Sequence, residues 1–289
     1  VRAWDTTTGS TTVLVAVIDT GVRYTHQDLS TQMWRNADEI ANNGVDDDQD
    51  GYIDNVYGIN AITNSGNPMD DNGHGTHCSG TIGAQANGGG PHVGVAWSVK
   101  IMACKFLGSS GGGSTSDAIK CINFAVIKGA HILSNSWGGG GYSQALADAI
   151  TAANAADVLF VAAAGNNSSN TDVTPSYPAS YTHGNIVSVA SIDRQNALSY
   201  FSNYGATSVD IGAPGSDIYS SYAGSDTSYR TLSGTSMATP HVAGVAALIL
   251  ADVPDISASE LRQRIFAGAV STTALTGKVA TGGRVNAYN

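Results

Sequence analysis

Five short apolar runs recur along the chain, and stretches with helical patterning lie between them. The first is 13–18, Val13-Leu14-Val15-Ala16-Val17-Ile18; the others are 100–107, 131–134, 158–163 and 186–192. Near-continuous β-branched runs of this length predict strands buried on both faces of a parallel sheet. Between them, 117–127 sets Ile119, Ile122 and Val126 on one helical face, and 144–155 is Ala-rich. The segment 242–250 is apolar all round, which predicts a buried helix. Ser257 and Glu260 have capping-box spacing just before Leu261 and Ile265. Alternating strands and helices predict an α/β fold that is doubly wound, with a mostly parallel central sheet and helices on both faces. No internal repeat or linker interrupts it, so residues 1–289 are expected to form a single domain. The glycine stretches 88–90, 111–113 and 138–141 predict loops that something approaches closely.

Composition narrows the function classes. The 289 residues suffice for one large α/β domain, and 42% apolar content is ordinary. Charged residues are only 12%, so the surface is built largely from Ser, Thr, Asn and Gly, which suits a secreted, extracellular protein. The net charge is −10 and the 13 basic residues form no run, which argues against a nucleic-acid groove. No apolar run approaches the length of a membrane span. The chain opens on Val1-Arg2-Ala3-Trp4-Asp5 without a Met, as a processed or trimmed fragment would. Three cysteines are too few for a disulfide scaffold. Cys104 falls in a strand and Cys121 in the next helix, so a bridge and two free thiols are both open.

Three segments carry candidate chemistry. Asp19 follows a buried strand in Val17-Ile18-Asp19-Thr20-Gly21, where an ionised carboxylate needs a partner. His74 stands between two glycines in Asn72-Gly73-His74-Gly75-Thr76-His77-Cys78. The two histidines lack the Glu of a His-Glu-x-x-His zinc motif. Ser236, in Gly234-Thr235-Ser236-Met237-Ala238-Thr239-Pro240-His241, opens the apolar helix, where unpaired N–H groups stabilise negative charge. Taken singly these are a turn cap, a structural histidine and a helix cap. Together they are an acid, a base and a nucleophile in one chain.

In these motifs and their order the chain resembles the subtilisin-like serine proteases. The resemblance runs through to Gly282-Gly283-Arg284-Val285-Asn286-Ala287. It implies a subtilisin-like three-layer fold and a serine endopeptidase. Ser236 would be the nucleophile, His74 the general base and Asp19 its orienting partner. Asn166, after Ala162-Ala163-Ala164-Gly165, would give its side-chain amide to the oxyanion beside the Ser236 N–H. Substrate would lie as an extra strand between Gly111-Gly112-Gly113 and Ser136-Trp137-Gly138. Ala163, Ala164 and Gly165, with Ser176, Leu232 and Ser233, would wall the pocket before the scissile bond. These residues are small or uncharged, which implies a preference for apolar or aromatic side chains. Cys78 would sit as a free thiol under the site. The resemblance also implies polypeptide substrates and an inhibitory pro-segment, on a chain expected to be monomeric. The competing functions are a peptide ligase or macrocyclase on the same scaffold and an inactive binding module.

Seven of the 23 acidic residues fall between Asp38 and Asp54. Asp46-Asp47-Asp48-Gln49-Asp50-Gly51-Tyr52-Ile53-Asp54 has the alternating oxygen donors and the glycine that open an EF-hand loop. The twelfth position is Tyr57 rather than Glu, so the expectation is a calcium loop without an EF-hand. Asp46, Asp48, Asp50 and Asp54, with the Tyr52 carbonyl, are the expected ligands; a solvated acidic loop is the alternative. Oxygen donors of this kind favour Ca2+ over zinc. The resemblance implies a second calcium site at Asp28 and the region of Asn87.

Overall fold

The computed structural model describes residues 2–86 and 90–288. Asn87 and Gly88 and Gly89 lie outside the described residues. After a short 3-10 helix (Arg2–Asp5) the chain runs β1 (Leu14–Asp19), β2 (Gly58–Asn60), α1 (His74–Gly83), β3 (Lys100–Lys105) and α2 (Thr115–Ile127). It continues through β4 (Ile132–Asn135), α3 (Gln144–Ala155), β5 (Leu159–Ala163), β6 (Ile186–Ile192) and β7 (Ile211–Pro214). It ends with β8 (Ile218–Ser221), β9 (Tyr229–Leu232), α4 (Thr235–Asp252), α5 (Ala258–Ala267), β10 (Val270–Ser271) and β11 (Gly283–Arg284).

Nine of these strands form one sheet in the order β10-β11-β7-β6-β5-β4-β1-β3-β2. Every pairing in it is parallel except β10 with β11. Strands β8 and β9 form a separate antiparallel hairpin. The three-layer α/β architecture expected from the sequence is the one observed.

Strand β1 shows why the apolar runs lack alternation. All six of its residues are buried. Val15 and Val17 face a core shared with α1, α4 and α5. Leu14, Ala16 and Ile18 face the opposite core, shared with α2 and α3. A strand covered on both sides must be apolar at every position.

Polar caps fix the helix starts. The side chains of Ser114, Ser143 and Ser257 accept from the N–H groups of Asp117, Leu146 and Glu260. Each such cap is worth about 1 kcal/mol. Helix α4 begins at Thr235, seven residues ahead of the apolar segment, because the Ser236 motif is itself its first turns. Helix α1 (HGTHCSGTIG) carries almost no apolar period, so hydrophobic patterning does not reveal it. Its small residues serve close packing. A Cβ on Gly75 would lie 2.1 Å from the Gly21 carbonyl oxygen, so only glycine lets α1 rest on the end of β1. In a parallel sheet the carboxyl ends of neighbouring strands open on one rim. Asp19, the Lys105–Leu107 exit, Asn135–Ser136 and the Ala163–Asn166 turn all lie there.

Candidate active site

Asp19 is the last residue of β1 and is fully buried. Its Oδ1 accepts from its neighbour's N–H, Thr20, at 2.7 Å and from His74 Nδ1 at 2.8 Å. His74 is the first residue of α1, so two elements deliver the pair. With Nδ1 as donor, the neutral ring keeps Nε2 as its basic face. Burial pushes the His74 imidazole down, but the charge and hydrogen bond of Asp19, aided by the charge of Asp70, raise it above its ordinary value. The result is a stronger base held in one tautomer.

Ser236 lies in the first turn of α4. Four residues on stands Pro240, which has no N–H to give back to the Ser236 carbonyl. That carbonyl instead accepts from Ser136 Oγ at 2.9 Å and from Cys78 Sγ at 3.4 Å. The Ser236 hydroxyl in turn donates to the Ser136 carbonyl at 3.0 Å. For attack, the hydroxyl must turn from that carbonyl to the basic nitrogen of His74. Burial pushes the Cys78 thiol well above its ordinary range, so it stays protonated and does not compete as a nucleophile.

Asn166 follows Gly165, whose φ of +107° and close approach to Asn203 exclude a side chain there. Asn166 Oδ1 accepts from Thr235 N at 2.8 Å and Thr235 Oγ1 at 3.0 Å. Both bonds fix the amide so that its N–H groups remain for an incoming oxyanion. In the sequence the one signal for Thr235 is its place directly before Ser236. A cavity of about 180 Å³ lies against these groups, lined by Ala163, Gly165, Asn166, Ser176, Trp137 and Ser236 among others. Ala164 does not line it. Alternation along the backbone turns its methyl into a separate small core with Ala190, Ile192 and Val209. Leu232 packs on the main core, and Ser233 Oγ accepts from Asp217 N at 2.9 Å, so neither lines the cavity.

A larger cleft of about 610 Å³ adjoins it, lined on one side by Gly111, Gly112 and Gly113 and on the other by Ser136, Trp137 and Gly138, with His74 between. Gly113 bridges to Leu107 in strand fashion, and a Cβ there would meet the Phe106 carbonyl oxygen at 2.4 Å. The arrangement is an acid–base pair, a hydroxyl at a helix start, an oriented amide donor and two bare backbone edges. Chemically it can perform nucleophilic acyl transfer on an extended chain.

The sequence profile of the subtilase family matches residues 10–285. The chain belongs to the subtilase family. Thermitase from Thermoactinomyces vulgaris is 39% identical over 99% of this chain and 91% of its own. Subtilisin-like protease 1 of Plasmodium vivax is 35% identical over 94% of this chain and 46% of its own. The chain spans about half the length of the Plasmodium relatives it matches. The crystal structure of a cold adapted subtilisin-like serine proteinase superposes with a TM-score of 0.72, at 33% identity, covering 95% of this chain and 86% of that one.

In this subtilase the acidic loop between β1 and β2 gathers some expected ligands and not others. Carboxylate oxygens of Glu39, Asp46 and Asp48 lie within 4.8 Å of one another. Glu39, a residue the loop pattern does not reveal, is buried; its Oε1 accepts from Asp47 N at 2.9 Å, and its Oε2 has no partner among the described residues. A buried carboxylate oxygen without a donor fits a hard cation. Lys128 Nζ pairs with Asp50 at 2.8 Å and with Asp48 at 2.5 Å, and Asp50 is held further by Asn55 Nδ2 at 2.7 Å, outside the Glu39–Asp46–Asp48 group. Asp54 turns its carboxylate to the N–H groups of Asn43 and Gly44. At the second expected site Asp28 is fully buried and accepts from Tyr229 Oη at 2.7 Å; Asn87 lies outside the described residues. Burial, with Asp28 beside it, pushes the Tyr229 hydroxyl up to about 12. All three cysteines are free, and Cys104 on β3 and Cys121 on α2 are buried in the same core.

Proposed function

We propose that this chain is the catalytic domain of a serine endopeptidase that hydrolyses polypeptides through an acyl-enzyme. The observation that carries this is the partly buried Asp19–His74 hydrogen bond of 2.8 Å at the start of α1, a helix whose Cys78 touches the carbonyl of the helix-start Ser236, together with an Asn166 amide locked by Thr235. Ser236 Oγ attacks the scissile carbonyl carbon while His74 Nε2 takes the hydroxyl proton. The carbonyl π electrons move to oxygen, and that oxyanion is met by the Asn166 amide and the Ser236 N–H. Collapse expels the amine, which receives the proton from His74. Water then repeats the sequence on the acyl-enzyme and releases the acid. Asp19 holds the ring and stabilises the imidazolium throughout.

The two glycine-bearing edges support binding of the substrate as an added strand. The uncharged walls of the smaller cavity support a preference for apolar or aromatic residues before the cut. Calcium held by Glu39, Asp46 and Asp48 would supply positive charge that neutralises their mutual repulsion and ties the β1–β2 connection. The family, with relatives named thermitase and subtilisin, supports a secreted monomer made with an inhibitory pro-segment. In the test, the protein cleaves casein and Ser236→Ala loses about 10⁶ in turnover, the scale known for subtilisin. Equal cleavage by both proteins would sink the reading.

A further inference from the structure

One buried carboxylate near the active site takes no part in the mechanism above. Asp70 lies in the loop before α1 and is 5% exposed. Its two oxygens accept five hydrogen bonds. Oδ1 takes Thr20 Oγ1 at 2.8 Å, Asn72 N at 3.0 Å and Gly73 N at 2.9 Å. Oδ2 takes Thr76 N at 3.0 Å and Thr76 Oγ1 at 2.5 Å. Gly73 and Thr76 flank His74, and α1 has no side-chain cap from its own N-cap residue, Gly73. Asp70 therefore supplies that cap from three residues upstream.

The Thr20 contact links this cap to the other half of the catalytic pair. Thr20 gives its N–H to Asp19 Oδ1 at 2.7 Å and its hydroxyl to Asp70. The same hydroxyl oxygen accepts the N–H of Gly75, the residue after His74, at 2.9 Å. Lys105 Nζ anchors the Thr20 carbonyl at 2.7 Å and the Leu107 carbonyl at 2.9 Å. So one residue touches the Asp19 carboxylate, the Asp70 carboxylate and the first turn of α1.

We infer that Asp70, acting through Thr20, is a positioning residue that sets His74 against Asp19 for catalysis. The inference rests on the serine endopeptidase reading. A misplacement of the base of about 1 Å costs on the order of 10² in rate, so the brace has a kinetic consequence. Asp70 also adds negative charge facing the imidazole. The other titratable groups by the ring are Asp19 on β1 and the protonated thiol of Cys78 and the neutral His77 on α1; Lys105 at the end of β3 holds the Thr20 carbonyl and is tied to Asp71 at 2.6 Å. Negative charge favours the imidazolium, so removing it lowers the His74 pKa.

The experiment compares native protein, Asp70→Asn, Thr20→Val and Thr20→Ser in peptide hydrolysis across pH. Native cleavage, absent in Ser236→Ala, first establishes that the underlying reading stands. Asp70→Asn is expected to lose on the order of 10²-fold in kcat. Its KM should change by less than about two-fold, and the acid limb of kcat/KM should move to lower pH. Thr20→Val leaves the Asp70 caps on α1 intact, should lower kcat by about ten-fold or more, and Thr20→Ser should restore it. The inference is overturned by native kcat in Thr20→Val, or by a folded Asp70→Asn with native kcat and an unmoved acid limb. If Asp70→Asn fails to fold, the Thr20 pair decides alone.

Discussion

Asn166 shows how a polar side chain acquires a direction. An amide can present either end, and the two donors of Thr235 select the oxygen end. Its N–H groups are left for the substrate. Asn166→Ala should therefore lower kcat by about 10²–10³, the loss known for such a donor in subtilisin, with KM little changed. An equal loss carried wholly by KM would contradict the role. His77, three residues after His74, behaves in the opposite way to it. Its Nε2 lies between the carbonyls of Ile218 and Arg230, and burial pushes its pKa down to about 4. The unfolded chain, with an ordinary histidine near 6.5, binds that proton more readily. Stability from neutral His77 is thus complete above the ordinary value and is lost as pH falls toward about 4, by up to about 3 kcal/mol. Urea unfolding of native protein and His77→Gln at pH 7 and pH 4.5 tests this; an identical pH dependence in both would refute it. Asp19, His74, Ser236 and Asn166 were legible through motif resemblance. Thr235, Glu39 and Asp70 were not, because their partners are chosen by the fold rather than by neighbours in sequence.

At the scale of elements, runs buried on both faces announced themselves by unbroken apolar character, and the observed β1, β3, β4, β5 and β6 lie on the five expected runs. Helix α1 did not, since close packing on β1 selected Gly, Ser and Thr over an apolar stripe. The short strands β2, β10 and β11 are two or three residues long and carry no period to read. In α4 the proline read as part of a motif also has a structural consequence: it frees the Ser236 carbonyl for Ser136 and Cys78. The acidic loop tests at this scale. Its oxygen-rich spacing was legible, but the selection among its carboxylates was not, because Lys128 arrives from the end of α2 to take Asp50 and to share Asp48 with the Glu39–Asp46 cluster. Calcium should raise the melting temperature, EDTA should lower it, and Glu39→Gln should shrink the calcium-dependent rise. A melting temperature indifferent to calcium in the native protein would remove the cation from the account.

At the scale of the molecule, the parallel sheet brings four strand ends to one rim, and α1 and α4 set a base and a nucleophile on it. Loops that look like flexible glycine stretches become the two sides of a cleft of about 610 Å³. Peptide hydrolysis on this rim requires Ser236 to be a nucleophile activated by His74. Intact-mass and peptide mass spectrometry after treatment with a fluorophosphonate measures that directly. One adduct is predicted, on Ser236, formed quickly by native protein and lost in His74→Ala. An unlabelled Ser236 in folded native protein would contradict the account.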